Sequence, residues 1–182
     1  MNPVLQHMNR AGAAMSATTS AIVLAATLAL GACAVDRVPQ LAAPGMAASE
    51  VAARIGKPIA QGQLAGGESY WDYSVQPMGY YNYRVTFGAD ERVRDVRNLL
   101  TQQNIARLEP GMTRAQVAEI VGPSLHPDRY ANGTTSWSYR YDDVGVIKLL
   151  HVIFDPNDRV QWTYSEWDPR IYSKKGGGRS GR

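Results

Sequence analysis

Residues 113–122 read TRAQVAEIVG, and Val117, Ile120 and Val121 fall at i, i+3 and i+4, a single apolar stripe on a polar segment. That period predicts an amphipathic helix. Thr113 and Gln116 have the spacing of a capping box, Met112 and Val117 are placed as a hydrophobic staple around the cap, and Gly122-Pro123 ends the helix. Upstream, 101–108 with Ile105, Ala106 and Leu108 reads as a partner helix closed by Pro110-Gly111. Downstream the period changes to two. Trp137, Tyr139 and Tyr141 alternate with Ser136, Ser138 and Arg140, then Leu150, Val152 and Phe154 share a face, then Val160, Trp162 and Tyr164. The connectors DDVG and DPND are turn-rich, so the unit is helix, helix and a three-stranded antiparallel meander with those residues inward.

The same pattern is present earlier in the chain. Gly45, Met46, Val51, Ala52, Gly56, Trp71 and Tyr73 precede Gly111, Met112, Val117, Ala118, Gly122, Trp137 and Tyr139 by 66 residues. With one residue added in the second copy, Val85, Phe87, Arg92 and Val93 correspond to Val152, Phe154, Arg159 and Val160. Cap, stop, aromatic pair and strand ends recur in the same order, the signature of a duplicated unit. The first copy reads as degraded. Ala47 replaces the Thr113 cap, a loss of about 1 kcal/mol, Pro39 interrupts the place of the leading helix, and Val93, Asp95 and Arg97 replace Val160, Trp162 and Tyr164. The expected fold class is α+β, two tandem helix(-helix)-three-strand units.

The second strands differ most in their outward faces. Tyr80, Asn82, Arg84 and Thr86 in the first copy read as a solvated face, whereas Ile147, Leu149, His151 and Ile153 make the second copy apolar on both sides. Such a strand needs cover on both faces, from the other repeat, from a helix or from a partner protein. These four residues are therefore candidate partner-binding positions. Tyr70, Tyr80 and Tyr130, out of phase or in loops, are the candidate exposed aromatics.

At the N-terminus, residues 11–35 carry no charge and the most apolar stretch, AIVLAATLAL, has signal-peptide rather than membrane-spanning length. It leads into Leu30-Gly31-Ala32-Cys33, which resembles the lipobox of bacterial lipoproteins. That resemblance implies diacylglycerol on the Cys33 sulfur, cleavage before it, and acylation (palmitate) of the new amino group. Ala34, not an acidic residue, implies sorting to the outer membrane, with the body on the periplasmic side. Cys33 is the sole cysteine, so no intramolecular disulfide can form.

The segmentation expected is 1–32 signal peptide, 33–43 tether, 44–98 first repeat without its leading helix, 99–168 second repeat, and 169–182 a basic Gly-rich tail. Of the net charge of +3, Lys174, Lys175, Arg179 and Arg182 supply four positive charges and Arg10 in the leader one more, which leaves the body near −2, so the pI near 9.1 describes the tail and not a nucleic-acid-binding face. His126 beside Asp128, on a loop, is too little for a metal site, and paired acids such as Asp142-Asp143 sit in turns. No nucleophile elbow or phosphate loop is present. No enzyme, metal or cofactor beyond the lipid on Cys33 is expected.

GMTRAQVAEIVGP, followed by a Trp-x-Tyr strand and a VIFDPNDRV hairpin in a small lipoprotein, resembles the BamE family, also called SmpA/OmlA. The resemblance is strong over 101–166 and weaker over 44–96. It implies an outer-membrane lipoprotein working as a protein-interaction or scaffold component in or near β-barrel assembly and envelope integrity, with an envelope protein as partner. Two units in tandem also resemble the architecture of the β-lactamase inhibitory protein. That likeness, with the tyrosines, leaves a periplasmic hydrolase inhibitor or a cell-wall ligand binder as the alternative.

Overall fold

A computed structural model describes residues 37–172. Cys33, the leader and residues 173–182 lie outside them. The elements run α1 (Val38–Leu41), α2 (Ala48–Ile55), β1 (Ala60–Gln63), β2 (Ser69–Ser74), β3 (Asn82–Phe87), β4 (Val93–Asn98), α3 (Gln102–Ile105), α4 (Arg114–Val121), β5 (Asp128–Arg129), β6 (Thr135–Asp143), β7 (Val146–Phe154), β8 (Val160–Trp167) and α5 (Pro169–Tyr172). Each repeat is an α+β unit with a four-stranded antiparallel meander, β1-β2-β3-β4 and β5-β6-β7-β8. The extra edge strands β1 and β5 are short and polar, so alternation did not reveal them.

Duplication holds at the level of individual contacts. Trp71 meets Phe87 at 4.8 Å and 62°, and Trp137 meets Phe154 at 4.9 Å and 62°. Tyr73 Oη donates to Gly56 O at 3.2 Å and Tyr139 Oη to Gly122 O at 2.8 Å, so a core tyrosine ties each helix end to its sheet. Burial pushes the Tyr73 hydroxyl up to about 12 and the Tyr139 hydroxyl well above the ordinary range, which keeps both as donors. Arg92 and Arg159 each donate to the glycine carbonyl before their helix, Gly45 O and Gly111 O. Two separate cores result, one around Val51, Tyr73, Val85 and Phe87, the other around Val117, Tyr139, Val152 and Phe154.

The caps differ as the residues dictate. Thr113 Oγ1 accepts from Gln116 N at 3.2 Å while Gln116 Oε1 accepts from Thr113 N at 2.8 Å. Ala47 has no side-chain acceptor, and only the return half survives, Ala47 N donating to Glu50 Oε2 at 3.0 Å. Ala47 already has extended backbone angles, φ −71° and ψ 148°, suited to an N-cap. Ala47→Thr is therefore expected to stabilise the protein by about 1 kcal/mol, read as a rise of about 2–4 °C in melting temperature. An unchanged melting temperature would show that the first repeat does not limit stability.

Three expectations need correction. The segment read as a tether contributes α1, whose Val38 and Ala42 are buried in the first core, so the first repeat has a leading helix after all. Proline is tolerated there because it lies in the first turn, where its missing N–H has no intrahelical partner. At the other end, residues 169–172 belong to the body and not to the tail: Tyr172 Oη accepts from Ile147 N, and Asp168 N donates to Ile147 O. Finally, the third strands do not keep one alternation. Val160 pairs with Phe154 but Trp162 with Ile153, and likewise Val93 pairs with Phe87 but Asp95 with Thr86. A β-bulge in each repeat absorbs one residue, Gln161 or Arg94, and turns Trp162, Tyr164, Asp95 and Arg97 outward.

Candidate functional site

The outward face of each sheet carries Tyr70, Asp72, Asn82, Arg84 and Thr86 in the first repeat, and Ser136, Ser138, Arg140, Ile147, Leu149, His151, Ile153, Trp162, Tyr164 and Glu166 in the second. The first of these faces is not solvated. Asp72 and Arg84 are each 2% exposed, and Asn82 and Thr86 are buried, with the end of α4 of the second repeat docked on Arg84 and Asn82. Arg84 pairs with Asp72 through two bonds, Nε to Oδ1 at 2.7 Å and Nη2 to Oδ2 at 2.8 Å, and stands 4.0 Å from the Tyr70 ring. Its third nitrogen donates to Glu119 O at 3.1 Å, and Asn82 Nδ2 donates to Val121 O at 2.8 Å. These donors meet the carbonyls that the last turn of a helix leaves unpaired. The polar strand of the first repeat is a socket for the end of a helix.

A return contact comes from the loop between β2 and β3. The Gln76 side chain donates to Arg140 O at 2.7 Å and accepts from Arg140 N at 3.0 Å, so a side-chain amide completes the backbone pairing of β6. Arg140 pairs with Asp168, donates to Pro77 O at 3.3 Å and to Met78 O at 3.0 Å, and stands 4.7 Å from the Tyr80 ring. Burial alone would raise the Asp168 carboxyl, but the Arg170 N–H and the Arg140 guanidinium outweigh it and hold it below its ordinary value. A cavity of about 400 Å³ remains at this seam, with Leu125, His126, Leu149 and Pro169 among its walls.

The four residues singled out on β7 therefore have different surroundings. Ile153 is 8% exposed, Leu149 is half-buried against the seam, and Ile147 is half-buried beside α5. The other repeat covers Leu149 and a terminal helical turn covers Ile147. His151 is held in place by three partners: Ser138 Oγ at 3.0 Å, Glu166 Oε1 at 3.2 Å and the Tyr164 ring, stacked at 4.6 Å and 17°. Of the three tyrosines expected to be exposed, Tyr70 and Tyr80 lie half-buried under Arg84 and Arg140, while Tyr130 is 53% exposed.

Alternation alone missed the surface that remains open. Trp162 is 52% and Tyr164 47% exposed, side by side on the outward face with Glu166 beyond them. Burial, then the neighbouring Glu166 and Tyr130, raise the Tyr164 hydroxyl. Large exposed aromatics, with Tyr164 stacked on His151, contribute contact area at little entropic loss, which makes this face the strongest candidate for protein recognition. A usable signal was the implausibility of Asp95 and Arg97 as inward residues, since the bulge that places them outward also carries Trp162 and Tyr164 out. Among the described residues no helix is long and apolar enough to cross a membrane, and no group of three or more His, Cys, Asp or Glu residues is placed to hold a metal ion.

The family description that matches is that of the outer membrane protein assembly factor BamE domain, over residues 97–164. The second repeat is similar to a BamE domain. Its matched span runs from the end of β4 to Tyr164, so it includes α3, α4, the sheet and the two exposed aromatics of β8. A solved structure described as an osmotically inducible lipoprotein, OsmE, is similar at 20% identity, covering 37% of this chain and 79% of that one with a TM-score of 0.32. No curated protein matches the chain. Within the second repeat, α4 is shared between two tasks: its apolar stripe fills its own core, and its C-terminal carbonyls dock on the first repeat.

Proposed function

We propose that the chain is a lipid-anchored, non-catalytic lipoprotein on the periplasmic face of the outer membrane that takes part in assembling β-barrel proteins there by docking another envelope protein. The observation that carries this reading is the BamE match over a unit whose open sheet face presents Trp162 and Tyr164. The lipobox at Cys33 supports the anchor, and the first repeat, which seats α4, serves as a brace that fixes the second.

Leu149 and Ile153 are poor positions for a test, since charge there would disturb packing rather than contact. Trp162→Glu and Tyr164→Glu alter exposed side chains and should change stability by no more than about 1 kcal/mol. A photo-crosslinker at 162 in native membranes is expected to capture barrel-assembly subunits, and the double variant to lose their co-purification while remaining folded by circular dichroism. Capture of unrelated proteins only, or undiminished co-purification by the folded double variant, would overturn the reading.

A further inference from the structure

The two repeats share an aromatic wall but differ in what rests on it. In the second repeat the Arg114 guanidinium stands over Trp137 and Phe154, 5.9 and 5.4 Å from their centroids, and its Nη2 is 2.8 Å from Asp158 Oδ1. Arg114 is the first residue of α4, where the unpaired N–H groups of the helix disfavour positive charge. The rings and the carboxylate hold it there despite the helix.

Every element of that seat except the arginine recurs in the first repeat. Trp71 and Phe87 correspond to Trp137 and Phe154 with the same 62° between rings, and Glu91 corresponds to Asp158, both in the turn before the last strand with φ of 55° and 61°. In place of Arg114 stands Ala48. The vacated space is a cleft of about 510 Å³ lined by Ala48, Trp71, Phe87, Glu91, Gln61 and Gln63, among others. The Glu91 carboxylate has no hydrogen-bond or ion-pair partner among the described residues. Nearby cations are engaged elsewhere, Arg92 on Gly45 O and Arg94 on Asp90.

We propose that this cleft receives the guanidinium of an arginine side chain from a partner protein, in the way the second repeat receives its own Arg114. The chemistry is selective. An apolar group would leave the Glu91 carboxylate desolvated without a partner, and an anion would be repelled by it. A planar cation can stack on the rings and direct its fork of donors to the carboxylate, which a compact ammonium does less well. The cleft lies on the helix-bearing side of the first sheet, so the inference stands independently of the Trp162 face.

Nα-acetyl-arginine amide, titrated into the chain while its four tryptophan indole N–H signals are followed by NMR, tests this directly. A saturable shift of the Trp71 signal is expected at about 1–10 mM, with Trp137 unmoved. Glu91→Gln, an exposed and fold-neutral change, should weaken binding about tenfold, since it removes the charge-assisted partner. Ala48→Arg should abolish it by filling the seat, and Arg114→Ala should make Trp137 respond as well. The proposal fails if Trp71 does not respond, if the neutral isostere Nα-acetyl-citrulline amide shifts it equally, or if Glu91→Gln binds as tightly.

Discussion

Asp72→Ala is expected to destabilise the protein by about 3–5 kcal/mol, because it leaves a buried guanidinium with no counter-charge. Arg84 and Asp72 are each 2% exposed and joined by two hydrogen bonds, so water cannot replace the lost carboxylate. The loss should not stay within the first repeat. Arg84 also donates to Glu119 O at the end of α4, and a guanidinium that swings away in search of solvent releases that helix end. Urea unfolding should therefore show a lower midpoint, and if the repeats uncouple, two transitions where the parent shows one. Replacing both partners together, Asp72→Ala with Arg84→Met, should recover much of the loss, since an apolar pair needs no compensation. A loss below about 1 kcal/mol for Asp72→Ala would mean that the pair is hydrated and the socket is not closed.

Gly122→Ala is expected to destabilise by about 2–4 kcal/mol, from two sources that a companion variant separates. Gly122 has φ of +85°, a conformation that L side chains rarely adopt, and a Cβ placed there would meet Asn82 Nδ2 at 2.9 Å. That nitrogen donates to Val121 O, so relieving the clash breaks a contact between repeats. Gly56 holds the equivalent position with φ of +94°, and a Cβ on it would meet nothing within 4 Å. Gly56→Ala therefore reports backbone strain alone. The difference between the two variants, expected to be about 1–2 kcal/mol, measures the seat of α4 on the first sheet. Equal effects would show that the Asn82 contact contributes nothing.

Much of the architecture was legible because its causes are local. The Thr113 cap, the Gly122 stop and the Val117, Ile120, Val121 stripe act within one helix, and α4 spans Arg114–Val121 accordingly. Alternation through Trp137, Tyr139 and Tyr141, and through Leu150, Val152 and Phe154, correctly placed the inward faces of β6 and β7. It failed at β8 because one bulged residue shifts the phase, and nothing in the alternation of VQWTYSEW reveals that Gln161 is the extra residue. Comparison of the copies carried the missing information: a continuous alternation would bury Asp95 and Arg97, whereas the shifted one packs Val96 against the first core.

The candidate face was only half legible for a different reason. Leu149, His151 and Ile153 were correctly read as lying on an outward face of β7, but whether an outward face is wet depends on what crosses it. Arg84 and Asn82 look like solvated strand residues until α4 covers them, through bonds spanning 35 and 39 residues of chain. Leu149 looks like open surface until Gln76 and Pro77 arrive from the other repeat. The sequence alone determined the duplicated α+β unit, its caps and its stops, since those depend on backbone geometry within a few residues. Only the tertiary structure decided which faces the repeats cover for each other, and so left Trp162 and Tyr164 exposed and the seat beside Trp71 empty, because burial depends on distant packing and not on local period.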